Sequence, residues 1–384
     1  MTTAQPLPTL YSARFLSILG LQFVFGLGFS SFLLLPKYLA VVHGAGADGI
    51  GRVMAAAPVA VVLLMPIQAY GIDRYLRPRV MLVASLTLAF AAFGFSAVDA
   101  LGPLVYVLRM FQGAAFAAFF AAGATLVVEI APRERMGQAL GLSGASNLVT
   151  NAIGPAVAEP LALQLGWDAV FWLSALCAVC AALGSLTLRD GRGERPASPR
   201  RAALLSPRRL VIIYAALIGG LGFGTVTTFS QPFALSVGIN EVRGLFIGYT
   251  AAALAVRVLF GTWLDRFSRH RVALVTSIVY SLVVLATAGL RPGWLFPIGV
   301  ALGLAQGALY PVLTALLIES AEPETRGALM TYSGGAFNLG VVFSTLGLGA
   351  VAAELGYRGL FVLASLVTAT AVPPLGIALA RRAA

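Results

Sequence analysis

Three residues of this chain place a charged or amide group inside a strongly apolar stretch. Arg109 and Gln112 lie near the start of VLRMFQGAAFAAFFAAGATLVVE, which is otherwise apolar or small up to its final glutamate. Glu159 lies in GPAVAEPLAL, where it is the only charged residue. A charged side chain at the centre of a membrane costs about 3 kcal/mol on insertion scales, so one that is present there typically faces a cavity or a partner. These residues therefore indicate ligand binding or proton transfer.

The composition indicates that these stretches lie in a membrane. The chain is 59% hydrophobic and 11% charged, with a mean hydropathy of +0.89, whereas soluble domains contain roughly a quarter charged residues. Twelve apolar stretches approach the roughly 20 residues that a membrane helix needs. We predict an all-α integral membrane protein with spans near residues 13–41, 50–72, 80–98, 103–128, 137–163, 167–188, 209–237, 243–264, 272–290, 293–318, 327–354 and 357–379.

The basic residues are distributed unevenly between the two sides of this predicted structure. Nineteen of the 26 lysine and arginine residues fall at the termini or in the connections that follow even-numbered spans. Positively charged loops remain in the cytoplasm during insertion. We therefore predict a multi-pass protein of the inner (plasma) membrane with both termini cytoplasmic. On this prediction the net charge of +11 reflects topology, and no binding to nucleic acid is expected.

The sequence contains one pattern twice. GASNL from Gly144 recurs 191 residues later as GAFNL from Gly335, and DRYLRPR from Asp73 recurs 192 residues later as DRFSRHR from Asp265. Between the copies lies a polar segment rich in Pro, Gly, Ser and Arg, which is typical of a flexible linker. Duplicated bundles enclose a central cavity where they meet. We predict one six-helix bundle in residues 1–188, a cytoplasmic linker in 189–208 and a second six-helix bundle in 209–384.

The duplicated Asp-Arg motif resembles a signature of the major facilitator superfamily of secondary transporters. In that family the motif lies in the loop between the second and third spans and is followed by further arginines. The matching positions are Asp73, Arg74 and Arg77 in the first copy and Asp265, Arg266 and Arg269 in the second. An Asp followed by arginines at a cytoplasmic helix end can pair across the interface between spans, so we expect these residues to form a gate. The alternative is that the arginines only determine the topology.

A second motif resembles the fourth span of the same family, where an Arg is followed three residues later by Gln-Gly. Arg109, Gln112 and Gly113 match it, whereas the second half keeps Gln306 but has Gly303 at the arginine position. The resemblance covers essentially the whole chain, and it is closest to bacterial drug and metabolite exporters of the sugar efflux permease type. It implies proton-coupled export of a small organic molecule by alternating access. Uptake of a metabolite by a symporter or a facilitator is the alternative.

Arg109 and Glu159 lie at similar depths in adjacent predicted spans. Counted along an antiparallel helical hairpin, their positions differ by roughly 5 Å in depth. We therefore expect Arg109 to pair with Glu159, and proton uptake by Glu159 to follow when a conformational change breaks the pair. A purely structural role, such as binding helix carbonyls, remains an alternative for each residue.

Further polar residues within the spans are candidates for lining a cavity. Arg257 precedes Asp265 by eight residues and lies inside the eighth predicted span. Interhelical hydrogen bonds would explain the uncharged residues equally well, and snorkelling to the interface would explain Arg257. The remaining candidates for substrate binding are Asn147, Gln306 and Asn338.

Other classes of membrane protein are disfavoured by particular residues. An ATP-driven pump needs a phosphate-binding loop with Gly-Lys followed by Ser or Thr, and the only lysine of this chain, Lys37, lies in LPKYL. An intramembrane serine protease needs a base near its serine, and the two histidines, His43 and His270, are predicted on opposite sides. We expect no enzyme activity, no metal and no cofactor, and we expect a monomer that binds a small-molecule substrate and protons within the lipid bilayer. A transporter-shaped receptor remains open.

The predicted topology can be checked by labelling in intact cells. Single cysteines at Ser198 and Ala45, in a background with Cys177 and Cys180 replaced by alanine, should react differently with a membrane-impermeant maleimide. We expect Ala45→Cys to be labelled from outside and Ser198→Cys only after permeabilisation. Labelling of both from outside would contradict the topology.

Overall fold

The computed structural model describes residues 10–74, 76–188, 206–259, 267–322 and 325–383, and all regular secondary structure in these ranges is helical. We call residues 10–188 the N-terminal segment and residues 206–383 the C-terminal segment. The N-terminal segment contains α1 Ala13–Ser31, α2 Leu35–His43, α3 Ala47–Arg74, α4 Arg77–Gly94, α5 Pro103–Ile130, α6 Met136–Leu165 and α7 Trp167–Ser185. The C-terminal segment contains α8 Pro207–Ser236, α9 Arg243–Leu259, α10 Arg269–Thr287, α11 Leu295–Glu319, α12 Arg326–Ala369 and α13 Val372–Ala383.

The helix boundaries follow from local sequence signals. Proline begins α5 and α8, at positions where its missing N–H costs nothing. The Ser12 hydroxyl accepts a hydrogen bond from the backbone N–H of Phe15 at 3.2 Å and thereby caps α1. A 3₁₀ turn at Phe32–Leu34 joins α1 to α2, so that the two helices form one long apolar stretch from Ala13 to His43.

Nine helical stretches in the described ranges are long and apolar enough to cross a membrane. They confirm the prediction of an all-α membrane protein, and their helices begin and end close to the predicted bounds. Two of the predicted spans are not among the nine. α6 carries polar and small side chains along its length, and α9 is described for only 17 residues.

The predicted spans 327–354 and 357–379 are joined without a loop. Gly356 has φ 69° and ψ 175°, so the chain leaves the helical conformation there and Arg326–Ala369 consists of two helices. Gly166 has φ 88° and ψ 170° and separates α6 from α7 in the same way. Both glycines follow a leucine in equivalent copies of the repeat, and a positive φ strongly favours glycine. The second of these helices ends at Ala369, earlier than predicted, and α13 follows it.

The two segments meet along two pairs of helices, α3 with α12 and α6 with α9. Within the C-terminal segment, α8 lies so close to α12 that glycine is needed on both surfaces. A Cβ on Gly220 would collide with the carbonyl oxygen of Phe337, and one on Gly340 would collide with that of Leu217. Close approach through small residues is a principal source of helix association in membranes, where lipid offers no hydrophobic driving force.

The α8–α12 contact can be tested by adding one methyl group. Gly340→Ala should lower the stability of the protein by about 1 to 3 kcal/mol, because the new Cβ overpacks a backbone-to-backbone contact. Gly347→Ala is the matched control on the same helix, since a Cβ there meets no described atom within 4 Å. Thermal unfolding in detergent should show a lower midpoint for Gly340→Ala only. Equal midpoints for the two variants would contradict the close packing.

Candidate functional site

The side chain of Glu159 joins the two segments. It is 1% exposed, and its Oε1 lies 2.5 Å from Nζ of Lys37 in α2. The backbone N–H of Val242 donates to Oε1 at 2.8 Å and to Oε2 at 3.1 Å, and that of Arg243 donates to Oε2 at 2.9 Å. Lys37 also donates to the carbonyl oxygen of Asn240. We call Lys37, Glu159, Asn240, Val242 and Arg243 the distal contact.

The distal contact satisfies groups that would otherwise be unpaired in a buried place. Residues 242 and 243 stand at the start of α9, where backbone N–H groups have no acceptor within their own helix. A carboxylate is favoured there by hydrogen bonding and by the helix dipole. Lys37 supplies the balancing positive charge from the N-terminal segment. Removing either charged partner would leave the other buried and uncompensated, which costs about 3 to 5 kcal/mol.

Other contacts at the same end of the molecule join the segments. Nε2 of Gln231 in α8 donates to the carbonyl oxygen of Leu33 at 2.7 Å. A Cβ on Gly51 would collide with the carbonyl oxygen of Thr345, and one on Gly349 would lie 3.1 Å from that of Ala47. We call this the distal end, where α2 ends and α3 and α9 begin, and we call the opposite end, which includes Ala13 at the start of α1, the proximal end. The two segments are in direct contact at the distal end.

The glycines of α6 show that packing loosens away from the distal end. A Cβ on Gly154 would lie 2.7 Å from Cβ of Ser30, whereas one on Gly137 or Gly141 would meet no described atom within 4 Å. A Cβ on Gly144, which lies between Gly141 and Gly154, would have a single neighbour within 4 Å, a guanidinium nitrogen of Arg257 at 3.7 Å. α6 is therefore tightly packed in its distal half and has open space beside these glycines of its proximal half.

The predicted pair between Arg109 and Glu159 is wrong in this structure. Nη1 of Arg109 donates to Oε1 of Gln112 at 2.6 Å, and Nη2 lies 3.8 Å from Sδ of Met54. Arg109 and Glu159 are not neighbours although their predicted depths are similar. The helix of Arg109, α5, packs chiefly against α3 and α4, whereas the helix of Glu159, α6, packs chiefly against α1 and α9. Nε of Arg109 and Nε2 of Gln112 are buried without a hydrogen-bond partner among the described residues.

The other predicted binding residues are spread over four helices. Arg257 is exposed and faces Gly144. Asn147 is half-buried on α6, and Nδ2 of Asn338 donates to a carbonyl oxygen of its own helix, that of Gly334, at 2.9 Å. Gln306 is 6% exposed, and its Oε1 has no hydrogen-bond partner among the described residues. The structure thus brings Arg257 close to α6 but leaves the amides apart from the distal contact.

The predicted gating residues fall at the proximal end. Arg77 pairs with Glu129 at 3.0 Å, and Arg269 pairs with Glu319 at the equivalent place in the C-terminal segment. The side chains of Asp73 and Arg74, and the residues Asp265 and Arg266, lie outside the described part of the chain. Sequence reasoning missed the two glutamates, although each lies near the end of its apolar stretch and the two are 190 residues apart.

Lys37 is the buried charged residue that sequence reasoning missed most clearly. The uneven charge distribution places it on the outer side as a topological charge, although it is the only lysine of the chain and stands in the apolar run SSFLLLPKYLAVV. A single lysine within such a run is the signal that would have found it. The structure buries it, with 5% of its surface exposed.

These features define a polytopic helical membrane protein whose two segments are held together at one end by a buried ionic contact. The chain belongs to the Major Facilitator Superfamily, which its sequence matches over residues 18–286 and 237–383. It is therefore a membrane transporter with a small-molecule substrate and not an enzyme.

Two relatives are named as resistance proteins. The chain is 29% identical over 288 residues to the "Chloramphenicol resistance protein" of Streptomyces lividans, a match that covers 70% of this chain and 71% of that protein. It is 27% identical over 257 residues to the "Multidrug resistance protein MdtG" of Serratia proteamaculans, covering 63% of this chain and 62% of that protein.

Solved structures share the fold. A mutant of the nucleoside transporter NupG superposes with a TM-score of 0.77 at 13% identity, covering 95% of this chain and 99% of that one. A bacterial homologue of the human lysosomal transporter Spinster, in an inward-facing and unoccupied conformation, superposes with a TM-score of 0.71 at 13% identity, covering 98% and 96%. At this level of identity the likeness concerns the fold alone.

Neutralising the distal contact should open the distal end. Spin labels at Ala100→Cys and Pro292→Cys, in a background without Cys177 and Cys180, lie on exposed loops of the two segments. Glu159→Gln keeps the size of the side chain but removes its charge, so we expect pulsed electron paramagnetic resonance to show a new population at longer distance. Glu241→Gln is the matched control, because that carboxylate is exposed and pairs only with its neighbour Arg243. An unchanged distance distribution in Glu159→Gln would show that the ion pair does not hold this end closed.

Proposed function

We propose that the chain crosses the inner membrane twelve times, as two six-helix bundles in residues 1–188 and 209–384 with a cytoplasmic linker in 189–208 and both termini cytoplasmic. The nine apolar stretches support this number, because three further observations each account for one additional span. α6 is long enough to span despite its polar residues, α9 continues in sequence into an apolar run, and the stretch Arg326–Ala378 contains the break at Gly356. The excess of arginine on one side supports the orientation.

The proposed mechanism is alternating access, and the distal contact is the observation that carries it. A carboxylate of one segment accepts hydrogen bonds from the first N–H groups of a helix in the other, and its lysine partner donates to Asn240 of that same other segment. Separating the segments at that end must break these bonds together, whereas the pair between Lys37 and Glu159 lies within one segment. A contact of this kind has two discrete states, made and broken. On the proposed topology the distal end faces outward, and we propose on this ground that the state described is the inward-facing one.

The proposed direction is export, driven by proton entry. The relatives named as chloramphenicol and multidrug resistance proteins support export of a small organic molecule. Glu159 supports proton coupling by its position. Among the 15 acidic residues of the chain, it is the one in the described helices that lies more than one turn from any helix end and from the break at Gly356. In the broken state its carboxylate loses both backbone N–H donors, which favour the ionised form, and we propose that it then takes up a proton.

The proximal end would carry the second gate. Arg77 with Glu129 and Arg269 with Glu319 form equivalent ion pairs on the two segments. We propose that these pairs, with Asp73, Arg74, Asp265 and Arg266, close the cytoplasmic side in the opposite state. The proposed lining of the central cavity comprises Arg109, Gln112, Asn147, Arg257, Gln306 and Asn338. We propose that one chain is the working unit.

Transport in proteoliposomes distinguishes the possible modes. With chloramphenicol as the probe, a proton antiporter accumulates it when the vesicle lumen is more acidic than the bath, whichever way the molecules are inserted. We expect this result for the wild type and for Glu241→Gln. Glu159→Gln should give no accumulation, yet should still exchange labelled for unlabelled chloramphenicol.

Other outcomes would reject parts of the proposal. Accumulation only when the bath is more acidic would identify a symporter, and equilibration without accumulation would identify a facilitator. If Glu159→Gln concentrates the probe as the wild type does, Glu159 is not the proton carrier. Protein-free vesicles provide the baseline for passive entry of the probe.

A further inference from the structure

Four aromatic side chains of the C-terminal segment meet near the middle of their helices. The ring of Phe223 in α8 lies 5.6 Å from that of Tyr249 in α9 and 5.8 Å from that of Phe337 in α12, measured between centroids. The ring of Tyr310 in α11 lies 5.8 Å from that of Phe337. All four are half-buried, so part of each ring is available for contact. We call Phe223, Tyr249, Tyr310 and Phe337 the aromatic cluster.

A guanidinium group lies beside the aromatic cluster. Arg257 follows Tyr249 by eight residues on α9. In α11, Gly303 packs against Tyr249 and Gly307 against Ala253, so the next turn of α11, which carries Tyr310, runs alongside the turn of α9 that carries Arg257. Arg257 is exposed, and no hydrogen bond or ion pair joins it to another described residue. Its Nη1 lies against Gly144 of α6, which places the charge where the two segments meet.

The internal repeat shows that packing does not require this charge. Gly335 is the counterpart of Gly144, and a Cβ on Gly335 would lie 3.2 Å from Cε of Met65. Met65 precedes Asp73 by eight residues as Arg257 precedes Asp265, so the two side chains occupy equivalent places in the two interfaces. At the α3–α12 interface the uncharged side chain of Met65 fills this place. The arginine at the other therefore brings a positive charge that packing alone does not explain, at a depth where charge is costly.

The surroundings favour an anion over a cation. Glu159 is already held by Lys37 and the start of α9, and the glutamates at the proximal end are held by arginines. The N-terminal segment contributes an aromatic face of its own, in which the ring of Phe116 lies 4.3 Å from that of Phe29 and 4.8 Å from that of Phe120. Phe116 is the repeat counterpart of Tyr310, since each follows its Gln-Gly pair at the same spacing. The N-terminal segment thus has Phe116 at the position where the C-terminal segment has Tyr310, and Tyr310 lies near a cation, Arg257.

We propose that the aromatic cluster and Arg257 form a binding site for a planar aromatic molecule that carries a negative charge. The rings would stack on the planar body, and the guanidinium would bind a carboxylate or a group of similar shape, to which its fork of N–H donors is matched. This inference rests on the proposed function, because it names a class of substrate, planar aromatic anions, that the transporter would carry besides the neutral probe chloramphenicol.

Four probes of nearly constant size separate charge from aromaticity. They are 2-naphthoate (anion), 2-naphthamide (neutral), 2-naphthylmethylammonium (cation) and the saturated decalin-2-carboxylate. Isothermal titration calorimetry on the purified full-length protein in detergent should give the tightest binding for 2-naphthoate. Decalin-2-carboxylate should bind severalfold more weakly, because it cannot stack.

Substitutions at Arg257 make the test specific. Arg257→Met installs the residue that the repeat uses at the equivalent place, and it should weaken binding of 2-naphthoate by about tenfold or more while leaving 2-naphthamide nearly unchanged. Arg257→Lys keeps the charge and should retain part of the affinity. Arg291→Met is the matched control, because Arg291 is exposed and lies over Trp294 away from the cluster. Phe337→Leu should weaken the binding of 2-naphthoate and of 2-naphthamide alike.

The outcomes distinguish this inference from the proposed function. Equal binding of the anion and the cation, or unchanged binding of 2-naphthoate in Arg257→Met, would overturn the proposed site even if chloramphenicol is accumulated in vesicles. Binding of 2-naphthoate that depends on Arg257, without any gradient-driven transport, would leave the site standing and reject the transporter mechanism. Thermal unfolding of each variant identifies any loss of folding, and Arg257→Lys supplies the test if Arg257→Met does not fold.

Discussion

The buried carboxylate of Glu159 imposes the strongest constraint on this molecule. An ionised group in a low-dielectric place needs charge and hydrogen bonds around it, and here these come from a lysine of its own segment and from the first N–H groups of α9 in the other. The approach of the two segments at the distal end therefore depends on hydrogen bonds to one charged side chain. The same charge would be costly if the segments separated without water reaching it.

The two interfaces between the segments, α3–α12 and α6–α9, come from the same sequence repeat but are stabilised by different interactions. On α12 the positions that correspond to Glu159, at repeat offsets of 190 and 191, are Gly349 and Ala350, and Gly349 packs against Ala47 of α3. The α3–α12 interface is thus held at its distal end by close backbone contact between uncharged residues, whereas the α6–α9 interface contains the buried carboxylate of Glu159 and its hydrogen bonds to the start of α9. The two interfaces share a nearly symmetric frame but differ in charge.

Most of the helices could be predicted, whereas the pairing of the charges could not. Apolar length, proline at helix starts and glycine at Gly166 and Gly356 are local signals, and the structure follows them closely. The depth of Arg109 and Glu159 was also readable, but depth leaves the rotation of each helix and the choice of its neighbours undetermined. Glu159 faces α9, and no local signal in either stretch reports that contact. The burial of Lys37 could have been predicted, because a single lysine within an apolar run indicates a buried charge.

The helix α9 connects the two places that matter for the proposed function. Its first N–H groups bind Glu159, and Arg257 lies 14 residues after Arg243 on the same helix, about 21 Å along its axis. Both Glu159 and Gly144, which faces Arg257, belong to α6. A helix moves as a nearly rigid body, so a shift of α9 relative to α6 that breaks the distal contact also changes the distance between Arg257 and α6. An anion bound at Arg257 and a proton bound at Glu159 would therefore act on the same displacement, which is the physical requirement for coupling one flux to the other.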